Sequence, residues 1–125
     1  MFLEEFCFPN QLRLRTPADY KKVLANPSKS VDKYFTVLAV ENRLNYPRLG
    51  LAIAKKSIKT AVARNRIKRA ARESFRLQRQ QIGNFDFVVL ARGDALTAPS
   101  LILRKSLDRH WLKVVERASL ANGLN

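Results

Sequence analysis

The sequence predicts an α+β fold: a single domain ordered helix, strands, long basic helix, strand, helix, with a mixed, roughly four-stranded sheet packed by helices. Three observations carry this. The hydrophobic pattern switches between β-branched runs and helical spacing along the chain. A long helical stretch lies between strand-like segments instead of following them all. At 125 residues with 46% hydrophobic residues, 4 Gly and 5 Pro, the chain suits one compact domain over residues 1–125. Its core is expected over about residues 8–118, with a frayed tail over 120–125.

The first helix is announced by "TPAD": Thr16 as N-cap, Pro17 at the first helical position and Asp19 completing a capping-box arrangement. Tyr20, Val23 and Leu24 then share one face, and Asn26 before Pro27 ends the helix. Ser28 to Lys33 read as a loop or irregular edge strand. Tyr34 to Val40 and Arg48 to Ala54 read as strands joined by the Asn42 to Pro47 connection. The second of these sets Leu49, Leu51 and Ile53 on one face and Gly50, Ala52 and Ala54 on the other. Small residues there let a helix pack close, or leave room for a ligand chain.

Gly83 is read as a helix stop before a strand that runs to Arg92. The last element is a long amphipathic helix with Thr97 as N-cap and Pro99 in its first turn. Leu101, Leu107, Trp111, Val114, Val115 and Ala118 fall at helical spacing along it.

Lys and Arg number 24 against 10 Asp and Glu, a net charge of +14 and a pI near 10.8. Such a surplus repels itself, so a polyanionic partner is expected, nucleic acid ahead of an anionic membrane surface. The N-terminal MFLEEFCF carries Glu4 and Glu5 where a signal peptide needs positive charge. No stretch approaches the roughly 20 apolar residues of a membrane span, and a cytoplasmic protein without a membrane partner is expected. Cys7 is the one cysteine, so it reads as a small hydrophobe, with no intrachain disulfide or thiolate cluster.

The charge concentrates in "ARNRIKRAARESFR", Ala63 to Arg76. At about 100° per residue, Ala63, Ile67, Ala70, Ser74 and Leu77 collect on one side, with Ala71 at its edge, and are expected to face the sheet. Asn65, Lys68, Arg69, Arg72, Arg76 and Arg79 collect within an arc of about 100° on the other side. Arg64 and Arg66 flank the boundary. Solvated helix faces interleave acids at i,i+4, but here Glu73 is the sole acid and the cations repel one another. Uncompensated Arg and Lys of this kind suit phosphate binding, and Asn65 adds a neutral donor and acceptor. Lys55, Lys56 and Lys59 extend the strip toward the preceding strand. Tyr20 and Phe35 are candidates either for the core or for stacking an unpaired base.

Catalytic chemistry has little footing in the side chains. His110 is the one histidine, without a nearby Ser or Cys pattern, and is read as structural or surface. Asp86, Asp94, Asp108 and Glu116 are scattered, so no metal cluster or bound cofactor is assigned to the chain.

The segments "LRLRTPADYKKVL", "PRLGLAIAKK", "AVARNRIKRAARESFR" and "FDFVVLAR" resemble the protein component of bacterial ribonuclease P, from about Phe8 to Trp111. That resemblance implies a ribosomal protein S5 domain 2-like fold with a left-handed βαβ crossover around the basic helix, against the usual chirality. It implies a subunit of an endoribonuclease whose catalytic RNA uses Mg2+ to remove the 5′ leader of precursor tRNA. The protein, monomeric by itself, binds that RNA and the leader. By the same resemblance Arg64, Asn65, Arg66, Lys68, Arg69, Arg72 and Arg76 bind the RNA subunit. Arg13, Tyr20, Leu24, Phe35, Lys55 and Lys56 bind the leader in a cleft formed with the sheet.

The sequence differs from many members in lacking a Gly before Ala61 and Val62, and in having Leu38 where some carry an aromatic residue. The alternative is a basic ribosomal protein that binds rRNA. A helix-turn-helix regulator is disfavoured by the strands on both sides of the basic helix. A membrane-surface helix is disfavoured by an apolar side made mostly of Ala.

Overall fold

The computed structural model describes residues 10–123. The readings made on MFLEEFCF, Cys7 among them, lie outside the described residues. The chain forms α1 (Pro17–Ala25), β1 (Ser28–Val31), β2 (Phe35–Glu41), β3 (Arg48–Ala52), α2 (Ala61–Gln78), β4 (Phe85–Ala91) and α3 (Ser100–Gly123). Short 3-10 turns cover Asn10–Leu12 and Gly93–Leu96. The capping box is complete: Thr16 Oγ1 accepts from the Asp19 N–H at 3.1 Å and Asp19 Oδ2 accepts from the Thr16 N–H at 3.3 Å.

The four strands lie in the order β1-β2-β4-β3, antiparallel except for the parallel pair of β3 and β4, which α2 connects. β4 is central because its Phe-Asp-Phe-Val-Val-Leu-Ala run is apolar on both faces and so must be covered on both. One face carries Phe35 and Val37, Leu49, and Phe87 and Val89 toward α2 and α3 in the main core. There Phe75, Phe87 and Trp111 meet edge to face, with ring centroids 5.3 to 6.0 Å apart. Trp111 Nε1 donates to Ser74 Oγ at 2.7 Å, and Ser74 Oγ donates to Asp108 Oδ1, which ties α2 to α3 through a buried hydroxyl. The opposite face has a smaller cluster of Leu14, Val23, Leu38 and Val88 beneath α1.

Several expectations shift. Leu77 is 55% exposed while Phe75 is fully buried, so the stripe of α2 that docks is turned toward Phe75. The cause is tertiary: α2 packs on α3 as well as on the sheet, and the Phe75 ring fills the space between Phe87 and Trp111. Likewise Leu101 is 61% exposed and Leu103 takes the buried position on α3. That helix starts at Ser100, so Thr97 closes the preceding 3-10 turn instead of capping it. Gly83, at φ 79°, makes the turn into β4 after α2 has already ended at Gln78. Ser28 to Val31 form a regular edge strand paired with β2.

The lone histidine is structural. His110 is buried, its Nδ1 lies 2.8 Å from Ser30 Oγ and its Nε2 lies 3.2 Å from Asp32 Oδ2. Burial pulls its pKa below the ordinary value, and the Asp32 carboxylate opposes this only in part. Burial pushes Asp32 upward, but hydrogen bonds from Ser106, the Phe35 and Tyr34 backbone and His110 outweigh it and hold its pKa at about 2.

Candidate nucleic-acid interface

The basic helix starts where the loop after β3 is pinned. Ile58 is fully buried, and the Ser57 and Ile58 N–H groups both donate to the Ala54 carbonyl, at 3.2 and 2.9 Å. The loop without glycine is thus a turn anchored by one apolar side chain. Thr60 caps α2, its Oγ1 accepting from the Ala63 N–H at 3.2 Å.

Arg64 and Arg66 leave the helix on opposite flanks. Arg64 Nη1 donates to the Ile58 carbonyl at 2.8 Å, and Arg66 Nη2 donates to the Leu96 carbonyl. Each therefore locks a neighbouring loop while keeping its charge at the surface. Between them, Asn65 and Arg69 are exposed, and Lys68, Arg72 and Arg76 are half-buried. Glu73 pairs with Arg76 at 2.9 Å. No carboxylate among the described residues lies within 4.0 Å of Lys68, Arg69 or Arg72. Partial burial, and then the charge of Arg13, pull the Arg72 pKa down, the sign of a cation held among cations. The seven residues assigned to the RNA subunit thus form one strip along α2.

The residues assigned to the leader divide. Among the described residues, that nine-residue helix and Leu14 cover the face under α1, with Val40, Ala52 and Leu90 half-buried and Val31 47% exposed. Tyr20 lies half-buried on this face, its hydroxyl accepting from the Leu51 N–H at 3.2 Å. Its ring occupies the room above Gly50, where a Cβ would come within 2.8 Å of it and 2.9 Å of Leu14. The small residue at Gly50 therefore serves close packing within the chain. Leu24 is 53% exposed beside it, and Lys55 and Lys56 are exposed where the chain leaves β3.

Phe35 is corrected: it is fully buried in the main core on the other side of the sheet, edge-on to His110, and cannot stack a leader base. Strand alternation decides this, since Phe35 shares its face with Val37 and not with Leu38. Arg13 is half-buried at the β3 edge, where it bridges to Leu49, and its charge acts on Arg72. Leu38 is buried under α1. Arg48 is fully engaged, with Nε and Nη2 donating to Asp86 at 2.9 and 2.7 Å. The sequence held no sign of this pair, because the partners are far apart in the chain and meet only through the parallel register of β3 and β4.

Comparison with known proteins follows the same lines. A family model described as Ribonuclease P matches residues 8–115. The ribonuclease P protein component of Methylococcus capsulatus is 46% identical over 112 residues, covering 90% of this chain and 88% of that protein. The one from Vibrio campbellii is 45% identical over 109 residues, 87% of this chain and 92% of that protein. Among solved structures, the Staphylococcus aureus RNase P protein superposes with a TM-score of 0.77 at 31% identity, covering 85% of this chain and 96% of that one. The Thermotoga maritima RNase P protein gives 0.66 at 29% identity, over 78% of this chain and 96% of that one. Family match, near-complete coverage and shared fold agree: the chain belongs to the ribonuclease P protein family, the protein components of that tRNA-processing ribonuclease.

Proposed function

We propose that this protein docks on the catalytic RNA of ribonuclease P through the α2 strip and holds the 5′ leader of precursor tRNA against the sheet face beside α1. The observation that carries the reading is the run of cations on α2, of which Lys68, Arg69 and Arg72 have no carboxylate partner among the described residues and only Arg76 pairs with Glu73. A strip of this kind neutralises phosphates without reading sequence. The half-covered face with Tyr20 and Leu24, and Lys55 and Lys56 at its margin, suits an unpaired strand. Selectivity for precursor over product follows, because the mature tRNA has no leader to place there.

In this reading the chemistry belongs to the RNA. Mg2+ is held by RNA phosphates in this proposal, and the protein contributes binding. No helix among the described residues is long and apolar enough to cross a membrane, and a cytoplasmic setting with a monomeric protein joining the RNA completes the proposal. A ribosomal protein would share the charge, but the family match disfavours that alternative.

The test is cleavage of 5′-labelled precursor tRNA by a bacterial ribonuclease P RNA at low Mg2+, with and without the protein. Stimulation that vanishes when the leader is trimmed to one nucleotide is expected. Absence of any stimulation refutes the role.

A further inference from the structure

At the C-terminal end of the α2 strip lies a cavity of about 360 Å³, within the size range of small-ligand sites. Asn45, Tyr46 and Pro47 of the β2–β3 connection form one wall, and Arg79, Gln80 and Asn84 of the α2–β4 connection form the other. No acid lines it. The side-chain amides of Asn45, Gln80 and Asn84 form no hydrogen bond with the described residues.

The walls are held before anything binds. The Asn42 N–H donates to the Asn84 carbonyl at 3.0 Å, and Asn42 Nδ2 donates to the Tyr46 carbonyl at 3.2 Å and to Asp86 Oδ1 at 2.9 Å. Asn42 Oδ1 accepts from the Leu44 N–H at 3.0 Å. Asn42 thus ties the two connections together through its backbone N–H while its side chain braces its own connection against β4, and Arg48 fixes Asp86 behind it. Gly83, with its left-handed φ of 79°, lets the chain turn between Gln80 and Asn84. A pre-formed opening loses little ordering entropy on binding.

The lining has the chemistry of a nucleotide site. Carboxamides supply paired donors and acceptors for the edge of a base. The Tyr46 ring and Pro47 supply a flat apolar wall, and Arg79, in line with Arg72 and Lys68 along the helix, supplies a phosphate contact. We propose that this cavity accepts one unpaired nucleotide of the RNA docked on α2, the amides meeting its base and Arg79 its phosphate. The proposal rests on the docking reading above and adds to it, since the strip senses charge whereas this cavity senses a base.

The test is a Gln80→Ala/Asn84→Ala variant, in which only exposed amides are lost. Binding to ribonuclease P RNA is measured over a series of KCl concentrations, and thermal melting is followed alongside. About tenfold weaker binding at every salt concentration, with the salt slope and melting unchanged, is expected, because base contacts release no counterions. In parallel, the Asn45 and Asn84 side-chain amide NMR signals are followed in the parent protein with AMP, GMP, CMP, UMP or inorganic phosphate. At least one nucleotide should shift them, and phosphate alone should not.

Parent-like RNA binding by the double variant, or equal shifts with phosphate and nucleotides, overturns the proposal. If a Lys68→Ala/Arg69→Ala/Arg72→Ala variant loses affinity while the amide variant does not, docking stands and the cavity assignment falls. If neither loses affinity, the docking reading itself fails.

Discussion

Replacing Lys68, Arg69 and Arg72 together by Ala separates RNA docking from folding. Among the described residues these three side chains have no acidic partner and, unlike Arg64 and Arg66, brace no loop carbonyl. Removing them relieves repulsion on α2, so thermal stability should stay level or rise slightly, by a few tenths of a kcal/mol. Each phosphate contact contributes about 0.7 to 0.9 to the slope of log K against log salt, so three contacts account for about 2.1 to 2.7. With binding curves that converge near 1 M salt, this amounts to a loss of about 50- to 170-fold at 0.15 M. Fluorescence anisotropy with labelled ribonuclease P RNA at five or six KCl concentrations measures both slope and intercept. A parent-like slope would show that the strip faces solvent in the complex and would refute the electrostatic reasoning. A matching loss of thermal stability would show that the three residues hold the fold.

Three further outcomes are expected. Ser74→Ala leaves the buried Trp111 N–H without its acceptor and should lower stability by about 1 to 3 kcal/mol, read by urea denaturation with Trp111 fluorescence as the probe. Gly50→Ala drives a Cβ into the Tyr20 ring and Leu14, and should cost about 1 to 3 kcal/mol while weakening leader binding more than RNA-subunit binding; equal effects on both would place Tyr20 outside the leader site. Acid should destabilise the protein in two windows. His110 has a lowered pKa, so stability is full above its ordinary value near 6.5 and falls as the pH drops below it, with Arg109 and Lys113 opposing its protonation. Asp32, held at about 2, contributes about 1 to 2 kcal/mol that is lost between about pH 4 and pH 2. Urea midpoints across this range should lose the lower window in Asp32→Asn.

The sequence by itself determined the parts that depend on neighbours along the chain. The capping box at Thr16, the strand and helix order, and the concentration of cation on one side of α2 are written in short-range spacing and composition. The family could be recognised from the same segments, because its motifs are local. Everything that depends on which surfaces meet was decided by the tertiary structure. Alternation along β2 says that Phe35 and Leu38 face opposite ways, but only the placement of α3 against one face and α1 against the other buries Phe35 in the main core. Leu77 and Phe75 are both apolar on α2, and the space between Phe87 and Trp111 selects Phe75. Arg48, Arg64 and Arg66 look alike as charges in the sequence. Their partners, the Asp86 carboxylate and two loop carbonyls, lie outside their own elements. Charge content is a property of the chain, whereas the neutralisation of a charge depends on distance, and only the fold sets distances between residues far apart in the sequence.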